Sequence, residues 1–356
     1  MPTPSSNRTT SSEADFAECR ALMKGGSKSF FAASLLLPNS VCKPATALYA
    51  FCRLADDAVD EGGGIDALEG LLDRLDRIYA GNPAPIAADR EFAQVVAFYG
   101  IPKTLPAALI EGFEWDGLGR RYETLSDLNA YATRVAGTVG AMMTMLMGVR
   151  EPDAVARACD LGIAMQFTNI ARDVGEDARK GRIYLPLSWM REEGIDPDAW
   201  LKDPKFDKAL GRVVKRLLKA ADELYERSEA GVAALPPACR GAIHAARFLY
   251  AEIGHKVRRR GYDSVTGRAV VPLYHKLWLL LTKIMLSDFI PTHRIVAPPV
   301  EEARFLVDAV AAIPDWPEAS KGKIRPPIRW WSFTDRAIWV LDLFEQLERR
   351  DQLQRR

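Results

Sequence analysis

Asp56 and Asp60 stand four residues apart in the segment FCRLADDAVDEG, with Asp57 between them. On a helix this spacing sets two carboxylates side by side, about 5 to 6 Å apart at Cβ, where like charges repel. Aspartate is also an indifferent helix former, so local helix physics disfavours the pair and a bound hard cation favours it. With 47 acidic side chains in 356 residues, roughly six acidic pairs at this spacing arise by chance. A second segment carries more weight. QFTNIARDVGEDARKGRIYLP places Asn169, Asp173 and Asp177 at successive intervals of four, with Gln166 one turn earlier on the same face. The result is a stripe of oxygen donors about 12 Å long.

Two such stripes fit Mg2+, which takes oxygen ligands, keeps several waters and is commonly held by one or two carboxylates together with substrate phosphate. The chemistry they suggest is ionisation of a diphosphate ester, in which the cation neutralises the leaving group and no histidine acid is needed. The four histidines show no metal-type spacing and receive no role. Arg53, three residues before Asp56, and Arg172, directly before Asp173, serve equally well as ion-pair partners of the neighbouring acids or as phosphate contacts.

The elements that must carry these groups are helical. Apolar residues recur at three and four spacing over Ala67 to Ala80, Phe206 to Ala234 and Val300 to Ala312. Strand signals are scarce. Pro and Gly breaks at Glu61 to Gly64, Gly81 to Pro85, Ile195 to Pro204, Leu235 to Pro237 and Pro291 to Pro299 divide the chain into helices of ordinary length. The expected fold is an all-α bundle without internal repeats. Residues 1–15 read as a disordered polar lead, 16–295 as the catalytic body and 296–356 as a C-terminal helical extension. Trp330, Trp331 and Trp339 are expected to dock the last helix.

Composition excludes several classes. Basic and acidic residues nearly cancel at 48 and 47, so no global charge points to nucleic acid or an anionic membrane. Five dispersed cysteines without a Cys-x-x-Cys pair argue against a zinc site or disulfide framework and fit a reducing cytoplasm. The longest apolar stretches, Val135 to Val149 and Leu277 to Leu286, are shorter than the ~18 to 20 residues of a bilayer span. A soluble or at most peripheral protein is expected.

Several ordered stretches between Ala21 and Ile290 resemble the squalene and phytoene synthase family, which joins two prenyl diphosphates head to head. They are GSKSFFAASLLLP, ALYAFCRLADDAVDE, RRYETLSDLNAYATRVAGTVG and the run from Gln166 to Pro186. The resemblance implies a helical bundle of the isoprenoid synthase type with a central cavity. It further implies that Asp56 and Asp60 bind metal from one wall and Asn169, Asp173 and Asp177 from the other. Ser27, Lys28, Ser29, Arg53, Gln166 and Arg172 match positions that handle diphosphate, Tyr49 and Tyr131 positions near the reacting carbons, and Tyr250 and Arg268 a later, less distinctive stretch. Asp116 matches a family position without a chemical role assigned. Read without the family, Ser27 and Ser29 are better taken as helix caps, and Tyr49, Tyr131 and Tyr250 as core aromatics.

Mg2+, or Mn2+ in its place, is the implied cofactor. The run of motifs and the extension resemble bacterial carotenoid enzymes, which implies geranylgeranyl diphosphate as substrate and downstream carotenoid enzymes as candidate partners. Farnesyl diphosphate, giving squalene-type products, is the alternative. Non-catalytic assembly factors of the same fold lose the acidic ligands, whereas both stripes are present here. A water-insoluble product would call for transient contact of an apolar rim with the membrane surface. The chain departs from the family at Ala132 and Thr133, where a Cys and an aromatic or His are common, and at Gly26, where some relatives carry a bulkier polar residue.

Overall fold

The computed structural model describes residues 12–26, 34, 36–60, 64–269, 271–272, 296–313 and 316, without the side chains of 60 and 64–66. Its elements are α1 (Glu13–Gly26), α2 (Asn39–Asp60), α3 (Gly64–Tyr79), α4 (Ala87–Tyr99), α5 (Thr104–Gly117), α6 (Leu125–Ala132), a π-helical turn (Thr133–Gly137), α7 (Thr138–Leu146), α8 (Pro152–Arg179), α9 (Leu187–Glu192), α10 (Pro197–Lys202), α11 (Lys208–Ala234), α12 (Pro237–Arg259), a 3-10 turn (Glu301–Ala303) and α13 (Arg304–Ala311). Among the described residues there is no strand, as the periodicity requires.

Local chemistry starts and stops these helices. Thr124 and Asp127 form a reciprocal capping box at the start of α6. The Asp207 carboxylate accepts from Leu210 N at 2.7 Å and opens α11. Leu235 ends α11, and Pro237 occupies the first turn of α12, where its missing N–H costs nothing. Pro44 lies inside α2, so the Ser40 carbonyl loses its helical donor. The Tyr99 hydroxyl of α4 donates to that carbonyl at 3.2 Å, converting a helix defect into an interhelical tie.

The main core is a continuous cluster of residues from α2 to α13, beside a smaller one of Cys19, Ala50, Ala87 and Ala88. At its centre α8, about 42 Å long, runs antiparallel to α11. Thr168 and Tyr225 share a hydroxyl bond at 3.0 Å near one end of the contact, and Gly231 abuts Arg157 near the other. The turn before α7 lies so close to α8 that a Cβ on Gly162 would overlap the Ala136 carbonyl. Leu306, Val307 and Val310 of α13 join the same cluster, so residues 304–311 pack on the bundle. Trp330, Trp331 and Trp339 lie outside the described residues, as do residues 1–11 of the lead. All five cysteines are unpaired thiols. No helix among the described residues is long and apolar enough to cross a membrane.

Candidate active site

One face of α8 carries the site. Ala154, Arg157, Ala158, Leu161, Gly162, Met165, Gln166 and Asn169 line a cavity of about 300 Å3, and the same face continues, one turn at a time, to Asp173 and Asp177. Opposite them stand Val135, Ala136, Val139, Met143 and Met147 from the π turn and α7, and residues of α11 and α12 including Tyr250. The lining is mainly apolar, with Arg157, Thr144 and Ser228 set in it, until it reaches Gln166 and Asn169. The cavity therefore passes from a hydrocarbon-like interior to an oxygen-donor ladder along a single helix.

The basic residues sit on the acids. Arg172 grips Asp173 with both ends of its guanidinium, Nε donating at 2.8 Å. Arg268 reaches the same carboxylate through Nε at 2.8 Å and approaches Glu176 at 3.6 Å. Arg268 is delivered by the loop after α12, in which Asp263 accepts from Val265 N and Thr266 N at 3.0 Å each. This loop can lie against α8 because Gly175, between the two aspartates, has no side chain: its N–H donates to Ser264 O at 3.1 Å, and a Cβ there would meet Val265 O. Burial first, then the Asp173 carboxylate, push the Asp177 carboxyl up to about 7.

The first stripe is placed on α2. Arg53 bonds Asp56 at 3.4 Å and Asp57 at 2.5 Å. Burial pushes the Tyr49 phenol, one turn before Arg53, up to about 12, opposed by the Arg53 charge and aided by Tyr250. Tyr250 is in turn buried beside Arg172. Both acidic helix ends flank the end of α5: Val59 of α2 lies against Gly117, and Tyr184, just beyond α8, donates to Asp116 at 2.6 Å. Asp60 lies in α2 with its side chain outside the described set, and Ser27, Lys28 and Ser29 lie outside the described residues.

Tyr131 is not among the cavity-lining residues. Its hydroxyl donates to Asp116 at 2.8 and 2.9 Å, beside Tyr184 and Tyr122 in a cluster with ring centroids 5.0 to 6.2 Å apart. Burial and then the Asp116 charge hold the Tyr131 phenol well above its ordinary value, so it stays protonated as a donor. This gives Asp116 a part that sequence alone did not supply. The cluster backs onto the π turn, whose Val135 and Ala136 face the cavity. Thr133, at the departure from the family pattern, opens that turn, and its buried Oγ1 has no hydrogen-bond partner.

Asp56, Asn169, Asp173 and Asp177 offer hard oxygens, and the charge crowding around Asp177 is of the kind a divalent cation relieves, so the donors fit Mg2+. Among the described residues no three His, Cys, Asp or Glu side chains converge as a ready-made cage.

Comparison with known proteins accords with this geometry. A family model described as squalene/phytoene synthase matches residues 23–275. The chain belongs to the squalene/phytoene synthase family. Within the family, a phytoene synthase of Rhodobacter capsulatus is 53% identical over 317 residues, covering 87% of this chain and 94% of the relative. One of Cereibacter sphaeroides is 52% identical over 313 residues, covering 84% and 88%. A crystal structure of a dehydrosqualene synthase in complex with ligand superposes with a TM-score of 0.72 at 33% identity, over 78% of this chain and 97% of that one.

Proposed function

We propose that this family member is a phytoene synthase, a prenyltransferase that joins two geranylgeranyl diphosphates head to head. The observation that carries the reading is the continuous face of α8, apolar from Ala158 to Met165 and oxygen-rich from Gln166 to Asp177. A long hydrocarbon esterified to diphosphate has that same polarity. The relatives named phytoene synthase, at 52 and 53% identity, support the choice of substrate.

In the reaction, the C–O bond of one substrate breaks and diphosphate leaves with the electron pair. The 2,3-double bond of the second substrate attacks the allylic cation, and loss of a proton gives a cyclopropylcarbinyl diphosphate. Ionisation of that intermediate, rearrangement and a second proton loss yield the C40 hydrocarbon and a second diphosphate. Mg2+, when held by Asp56, Asp60, Asn169, Asp173 and Asp177, supplies charge neutralisation of the leaving group. Arg53, Arg172 and Arg268, paired with carboxylates in the absence of substrate, exchange those partners for phosphate oxygens. Gln166 and Asn169 stand where the polar head meets the chain. The Met and Ala lining keeps water from the cations. Tyr49 and Tyr250 offer polarisable ring faces near the mouth, and Tyr131, held by Asp116, braces the turn behind the wall.

The assignment is tested by following diphosphate release with and without divalent metal in the wild type, Asp60→Ala and Asp173→Ala. Metal-dependent release in the wild type and its loss in both variants is expected; undiminished release in the variants would overturn the site.

A further inference from the structure

An apolar tunnel has little reason to carry an arginine, because burying a guanidinium is costly unless every part of it is paired. Yet Arg157 lines the deep half of the cavity, is 1% exposed, and is the only charged side chain among the described lining residues. Its stem packs on Gly231 of α11, where a Cβ would overlap it. Its head turns away between α8 and α11. Nε faces Asp160 at 2.7 Å, Nη1 donates to Ala297 O at 2.7 Å and Nη2 to Pro298 O at 3.2 Å. Arg227 donates to the same Asp160 at 3.1 Å and to Pro298 O at 2.6 Å. The cluster thus bolts the chain entering the 3-10 turn across the gap between the two central helices.

Depth makes this position significant. Arg157 lies twelve residues below Asn169 on α8, about 18 Å along the axis. With C–C bonds of about 1.5 Å at near-tetrahedral angles, each bond advances about 1.25 Å, so an extended sixteen-carbon geranylgeranyl main chain spans about 19 Å and a twelve-carbon farnesyl chain about 14 Å. With its head at Asn169, an extended C20 tail would reach Arg157 and a C15 tail would stop most of a turn short.

Resting on the reading of the cavity as a prenyl-chain site, we propose that Arg157, held by Asp160 and Arg227, is the stop that limits prenyl chain length. A longer hydrocarbon has to displace the Arg157 stem, which the bonds of its guanidinium hold in place, whereas a shorter one leaves apolar wall uncovered. Removing Arg157 still leaves Asp160 its bond to Arg227. Ala158, beside Arg157 on the cavity wall and nearer the mouth, permits the opposite perturbation with the ion cluster intact.

The test is a competition among farnesyl, geranylgeranyl and geranylfarnesyl diphosphates with the full chain and Mg2+, read as the lengths of the extracted hydrocarbons. Arg157→Ala should raise incorporation of the C25 substrate relative to C20 by about tenfold or more, and Ala158→Leu should shift C20 towards C15 by a similar factor, since single methylenes discriminate by roughly 10- to 200-fold. Thermal melting identifies a variant that does not fold. If Arg157→Ala does not, the Ala158→Leu ratio decides. Wild-type ratios in the folded variants would overturn the stop while leaving the prenyl reading intact. A wild type that makes no hydrocarbon from any of the three would instead overturn that reading.

Discussion

Asp116 gathers two phenols on one carboxylate, with Tyr131 at 2.8 Å and Tyr184 at 2.6 Å, and so ties the end of α5 to the end of α6 and to the strap beyond α8. Hydrogen bonds to a charged acceptor contribute about 1.5 to 3 kcal/mol each. Asp116→Ala should therefore cost several kcal/mol in urea denaturation, whereas Asp116→Asn, which keeps one acceptor, should cost about half as much. Asp173 receives Arg172 and Arg268 together, and its removal leaves two cations facing one another; Asp173→Ala should lower kcat by about 10²- to 10³-fold in steady-state assays. The stripe at Asn169, Asp173 and Asp177 was legible in the sequence because helical spacing alone defines it. The part played by Asp116 was not, since its partners stand 15 and 68 residues away. Arg157 was invisible for the same reason: its oxygens at 297 and 298 are 140 and 141 residues distant.

At the scale of elements, the breaks at Gly81 to Pro85 and Leu235 to Pro237 agree with the observed ends of α3 and α11, because Gly and Pro act through the local backbone. The stretch from Val135 to Val149, apolar and unbroken in sequence, instead contains the π turn, α7 and a bend. Periodicity carries no mark of the extra residue in such a turn; only its packing against α8 does. That packing can be tested at Gly162. Replacing a mid-helix glycine by alanine favours a helix by about 1 kcal/mol, yet here the methyl meets backbone rather than a yielding side chain, and overpacking costs about 1 to 3 kcal/mol. Gly162→Ala should lower the denaturation midpoint. A second element-level tie joins α1 to α4, where Arg90 holds Asp15 with its carboxyl lowered to about 2. A depressed carboxyl contributes stability above its unfolded value of 3.8 that is lost as pH falls through about 2. Thermal melting from pH 5 to pH 2 should show a shallower acid decline in Asp15→Asn than in the wild type.

For the whole molecule, the end of α2 and the segment just beyond α8 both pack on the end of α5, while α7, α8, α11 and α12 wall an apolar cavity. All-α architecture was legible throughout because every major segment repeats at helical spacing. The cavity was not, since the Met and Ala residues that line it are indistinguishable in sequence from those that fill a core. Its depth and the charged stop at Arg157 together define the central claim, that a C20 prenyl diphosphate is drawn in chain first and ionised at the mouth. Incubation of the purified protein with Mg2+ and either geranylgeranyl or farnesyl diphosphate, followed by mass analysis of the extracted hydrocarbon, tests this most directly. A C40 product from the C20 substrate is predicted; a C30 product from farnesyl diphosphate with none from geranylgeranyl diphosphate would contradict it.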